Sequence, residues 1–200
     1  MLMHHYKQKA QAGVGLLEVL VALILLAIGV LGYVALQLRA MDASSEALSK
    51  SQAILVMRGL AENIRTNSTQ ASQYPTFVRS YSNYTSDTPA PTSCFNSLCT
   101  ASQLAQFDAY QAARNANQLG MRITMSNCPG VTNTMVQQRQ CLFVFWGRTA
   151  PVITTNGTNT SVDVSSCMSN NGVYVNNSTC LMMEIKWLNH LFLIKNKVLP

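Results

Sequence analysis

Between Val19 and Leu38 the chain carries no charged residue. At 1.5 Å per residue a helix over this run is roughly 30 Å long, the thickness of a bilayer core. A lone acid, Glu18, stands at its front, four residues after Val14. Lys7 and Lys9 lie further back, and a small Gly13 marks the junction between them and the apolar segment. A carboxylate left unpaired at membrane depth costs about 2–3 kcal/mol, so Glu18 calls for a cationic partner. A secretory signal carries its small-residue cleavage junction after its apolar run. Here the junction Ala12-Gly13 comes before it. Cleavage between Gly13 and Val14 would keep the helix on the mature chain and create an α-amino group close to Glu18, in the same or a neighbouring chain. The plainer alternative is a signal-anchor helix with Glu18 at the headgroups.

Gly13 followed by Val14-Gly15-Leu16-Leu17-Glu18-Val19-Leu20-Val21-Ala22 resembles the class III signal of type IV prepilins and pseudopilins, and in its wording the PilV kind of minor pilin. The resemblance covers about the first 55 residues. It implies that a prepilin peptidase cuts after Gly13, that Val14 becomes the methylated N-terminus, and that Glu18 is the acid used in assembly. Many pilins begin with Phe, and Val14 departs from that. The partners it implies are other major and minor pilins, the prepilin peptidase, the pilus assembly platform, the inner membrane and a large tip adhesin. The implied location is the bacterial inner membrane with a periplasmic head, then the pilus fibre.

Two hundred residues leave room for one modest domain beyond the membrane helix. Only 11% are charged; without Lys7 and Lys9 the basic residues number 12 against 8 acids, a balance of +4. Nucleic acid is not an expected partner on so mild and scattered a charge. Six cysteines, Cys94, Cys99, Cys128, Cys141, Cys167 and Cys180, all follow the apolar run. The two leading lysines place the later chain outside the cytoplasm, where disulfides form. Six cysteines admit fifteen pairings. Pairing of neighbours is preferred, because each such pair brackets one short loop.

The apolar run continues without a breaker into an amphipathic stretch, which predicts one helix from about 14 to 66. Met41, Leu48 and Leu55, then Ile54, Met57, Ala61 and Ile64, recur at helical spacing and are its expected contact residues. Residues 67–91, rich in Ser, Thr, Asn, Tyr and Pro, read as a surface loop. Thr100 or Ser102 is placed to cap a second helix through about Leu119, with Leu104, Phe107, Tyr110 (or Gln111) and Leu119 expected to be buried. Strand-like runs follow at 122–126, 141–146, 151–154 and 181–187. The fold class expected is α+β and pilin-like: a long N-terminal helix packed on a small antiparallel sheet with a second helix. The corresponding divisions are a leader at 1–13, a membrane or filament-core half-helix at 14–38, an amphipathic half-helix at 39–66, a head at 67–187 and an apolar tail of open role at 188–200.

No catalytic constellation, cofactor loop or metal cluster assembles from these residues, so neither an enzyme nor a cofactor is expected. His4 and His5 precede the helix, and His190 is isolated in the tail. The leading reading is a minor pilin that primes or tips a type IV pilus. Alternatives are a type II secretion pseudopilin, a membrane-anchored periplasmic domain, and a DNA- or partner-binding module using Arg114, Arg122, Arg139, Arg148, Lys195 and Lys197.

Overall fold

A computed structural model describes residues 13, 15–130, 139–157, 159–188 and 191–195. A single helix, α1 (Leu16–Thr66), is followed by a 3₁₀ turn (Ser68–Gln70), α2 (Tyr74–Ser80) and α3 (Ala101–Gln118). Six strands follow among the described residues: β1 (Arg122–Asn127), β2 (Gln140–Phe145), β3 (Val152–Asn156), β4 (Asn159–Asp163), β5 (Cys180–Leu188) and β6 (Leu191–Lys195). The architecture is α+β, as the sequence predicts. Contacts divide the chain into two units, residues 1–46 and 47–200.

In the second unit, four strands form an antiparallel sheet in the order β1-β2-β5-β6, and β3 and β4 form a separate hairpin. β2 is central and buried along its whole length. Its side chains alternate between two cores. Leu142 and Val144 join Met57, Leu60, Ala61 and Ile64 of α1, the alanines of α3, and Ile123, Met125, Met183 and Ile185 of the neighbouring strands. Cys141, Phe143 and Phe145 face the other way, against Val164, Cys167, Met168 and Cys180. A strand covered on both faces has no polar side, which is why 141–146 reads as an unbroken apolar run.

Three expectations need correction. Residues 67–91 are not all loop, since they contain the 3₁₀ turn and α2. Pro75 stands in the first turn of α2, where its missing N–H costs nothing, and Tyr74 and Val78 are buried. On α1 the packed residues are Ala53, Met57, Leu60, Ala61 and Ile64, whereas Leu48 and Leu55 are 59% and 66% exposed and Met41 is also exposed. On α3 the buried face is Ala105, Phe107, Ala109, Tyr110, Ala112, Ala113 and Ala116, and Leu104 and Leu119 lie at its margin. Alanines let α3 lie close to its neighbours, and close approach carries the packing that larger side chains were expected to supply.

α3 begins at a capping box: the Thr100 hydroxyl accepts from the Gln103 N–H, and the Gln103 side chain accepts from the Thr100 N–H. Of the apolar tail, residues 191–195 pair antiparallel with β5, Glu184 opposite Lys195. His190 and residues 196–200 lie outside the described residues.

Candidate functional site

The candidate site is the N-terminal apolar helix. Its first hydrogen bonds run to the Gly15 carbonyl, from the Glu18 N–H at 2.9 Å and the Val19 N–H at 3.3 Å. Glu18 therefore sits in the first turn, where the unpaired N–H groups favour a negative side chain. Its residue is exposed. Gly13 is also exposed, with open space where a side chain would stand. Val14, the expected new N-terminus, and residues 1–12, which include Lys7, Lys9, His4 and His5, lie outside the described residues.

From Leu16 to Leu38 the large apolar side chains are all exposed, Leu16 at 83%. The most apolar 18-residue window has a mean hydropathy of 2.9 and none of it is buried. Among the described residues this is the one helix long and apolar enough to cross a membrane. A surface apolar on every side of a helix is stable against lipid tails or other apolar helices and unstable in water. Gly29 and Gly32 leave open space on it.

The six cysteines form three disulfides: Cys94–Cys99, Cys128–Cys141 and Cys167–Cys180. The last two are buried in the second core: Cys128–Cys141 ties the residue after β1 to β2, and Cys167–Cys180 ties the overlying turn to the start of β5. The first closes a surface loop just before α3; its Phe95 packs edge-on against Phe107, ring centres 5.0 Å apart.

A polar cluster joins α2 and α3 to the turn after α1. The Tyr74 hydroxyl donates to Asp108 Oδ2 at 2.7 Å and receives an N–H of Asn67, which also donates to the Ala101 carbonyl at 2.7 Å. Burial raises the Asp108 carboxyl above its ordinary range, while the Tyr74 hydrogen bond acts in the opposite direction. Burial, then the bond and charge of Asp108, push the Tyr74 hydroxyl up strongly. From the sequence Asp108 reads as either a buried hydrogen-bond partner or a solvated residue of α3; the structure shows the hydrogen bond, and the fold supplies Tyr74 as its partner. Of the basic residues considered for a binding face, Arg139 is committed to Glu184 at 3.1 Å. Lys197 lies outside the described residues. Among the described residues no group of three or more His, Cys, Asp or Glu is placed to hold a metal.

Residues 8–34 match the prokaryotic N-terminal methylation motif, and residues 35–110 match the family of the type IV pilin Tt1218. Neither a curated protein nor a solved structure matches the chain significantly. The second match carries a type IV pilin signature over residues 35–110, and the first places the methylation motif directly ahead of it. That family is structural, assembles with other pilins into a pilus, and fits an inner-membrane anchor at the apolar helix.

Proposed function

We propose that this chain, with its type IV pilin signature, is a minor pilin of the PilV kind that primes or tips a pilus fibre. A prepilin peptidase cuts after Gly13 and methylates Val14. The apolar half of α1 holds the product in the inner membrane with residues 67–187 in the periplasm, until the helix moves into a bundle of like helices. Apolar surface leaves lipid for other apolar surface, so the transfer is close to neutral in free energy.

Glu18 supplies the specificity of that transfer. The carboxylate of one subunit pairs with the N-terminal amine of a neighbour, and burying either charge alone is far more costly than burying the pair. Register along the bundle then follows from one contact. The observation that carries this reading is the exposed, uncharged helix surface from Leu16 to Leu38 with a single carboxylate in its first turn. The match of residues 35–110 to a type IV pilin favours a pilus over a secretion system.

The test is the mass of the N-terminal peptide of the protein isolated from its own cells. A peptide beginning at Val14 and carrying one methyl group is expected. A chain still carrying residues 1–13 overturns the pilin reading and leaves a tethered periplasmic domain.

A further inference from the structure

The sequence contains two Asn-Gly pairs, Asn156-Gly157 and Asn171-Gly172, with both asparagines exposed. The same dipeptide sits at different positions of two turns. Gly172 is the fourth residue of its turn, and its N–H donates to the Ser169 carbonyl at 2.9 Å. That turn is held further by Ser169 N–H to the Val173 carbonyl, by the pairing of Met168 with Tyr174, and by the Cys167–Cys180 disulfide. Gly157 stands instead at the tip of the β3–β4 hairpin, directly after Asn156, which pairs with Asn159. Its φ of +62° is the left-handed conformation required at the first position of a two-residue hairpin loop. Among the described residues its N–H has no acceptor, and no atom crowds it within 4 Å of where a side chain would stand.

We propose that Asn156 is a site of spontaneous deamidation and that Asn171 is protected from it. The Gly157 amide gives its proton to a solvent base, and its nitrogen attacks the side-chain carbonyl carbon of Asn156. A new C–N bond closes a five-membered succinimide as the C–NH₂ bond breaks and ammonia leaves. Water then opens the ring at either carbonyl, giving aspartate or isoaspartate; the net change is one amide plus water to one acid plus ammonia. Glycine has no side chain to hinder the attack. At Asn171 the attacking nitrogen must first give up its hydrogen bond to Ser169. The product adds a negative charge to a hairpin that otherwise carries only Asp163, so a long-lived head becomes more acidic at this tip with age.

The experiment ages the full-length protein in detergent in mildly alkaline buffer and maps peptides by mass over time. Asn156 is expected to convert about five- to tenfold faster than Asn171, the factor implied by one hydrogen bond lost before attack. In the reduced, denatured chain the two rates are expected to converge. The proposal is overturned by equal rates in the folded chain, by faster conversion at Asn171, or by an unchanged Asn156 in the folded chain while the denatured chain converts. Asn156→Gln is expected to abolish the early acidic shift, because ring closure through a longer side chain is slower. Persistence of the shift in that variant would place the change elsewhere and sink the assignment.

Discussion

The Tyr74 hydroxyl and Asp108 Oδ2, 34 residues apart in sequence, meet at 2.7 Å and join α2 to α3. Tyr74 is buried and Asp108 half-buried, so the bond is partly shielded from water. Tyr74→Phe keeps the ring packing and removes the donor. Leaving the carboxylate with one partner fewer is expected to lower stability by about 1–3 kcal/mol. Urea unfolding of the full chain in detergent, followed by near-ultraviolet circular dichroism, measures it; an unchanged midpoint would show that water replaces the hydroxyl.

The same carboxyl sets a sign for the response to acid. Its folded-state pKa is raised by burial, so the folded chain holds this proton more tightly than the unfolded one. The contribution is fully present below the unfolded value of about 4 and is lost as pH rises through the raised folded value. Asp108→Asn is expected to remove that component, flattening stability against pH across this window. A slope identical to that of the parent chain would assign the component elsewhere.

Two neighbouring positions on α1 are expected to behave in opposite ways. Met57 is buried in the main core and Leu55 is exposed. Met57→Ala leaves a cavity and is expected to cost about 2–5 kcal/mol. Leu55→Ala is expected to stay within about 0.5 kcal/mol. Comparable losses in paired unfolding curves would mean that α1 packs on a different face.

The three disulfides divide by burial. Cys128–Cys141 and Cys167–Cys180 lie in the second core, whereas Cys94–Cys99 closes a surface loop. Under graded reduction with alkylation, Cys94 and Cys99 are expected to be labelled first. Replacing Cys128 and Cys141 together by alanine is expected to cost about 3 kcal/mol, more than the shorter Cys94–Cys99 loop. Simultaneous labelling of all six would contradict this order.

In the proposed function Glu18 acts in assembly, which gives a direct test. Glu18→Ala is expected to leave membrane insertion intact, since it only removes a charge from the edge of an apolar helix. Co-purification with other pilins is expected to fall. Undiminished recovery of those pilins would remove Glu18 from any role in register.

The central strand was plain in the sequence because burial on both faces writes itself as Cys-Leu-Phe-Val-Phe-Trp. The start of α3 was legible as a choice between Thr100 and Ser102, and the capping box with Gln103 assigns it to Thr100. Faces were harder. On α1, Leu48 and Leu55 carry the right periodicity, but the contact turns on Ala53, Leu60 and Ala61, and hydrophobicity alone does not say which of two apolar stripes meets a sheet. On α3 the contact is made by alanines, which weigh little in any apolar pattern. α2 was hidden because a polar, tyrosine-rich segment with a proline gives no helical period; tertiary burial of Tyr74 and Val78 holds it. Of the candidate site, Glu18 and the apolar helix were legible as charge and hydropathy. The Tyr74–Asp108 bond was not, because nothing local links those positions.

β2 offers Leu142 and Val144 to the helical core and Cys141, Phe143 and Phe145 to the second core, where Cys167–Cys180 ties the overlying turn to β5. The two sides therefore obey different rules of change. Toward the helices the side chains of β2 are secured by close packing, so a change of volume there is felt directly. On the far side a covalent tie holds the covering turn, so a change of side chain in that turn is expected to cost less than one on the helical side.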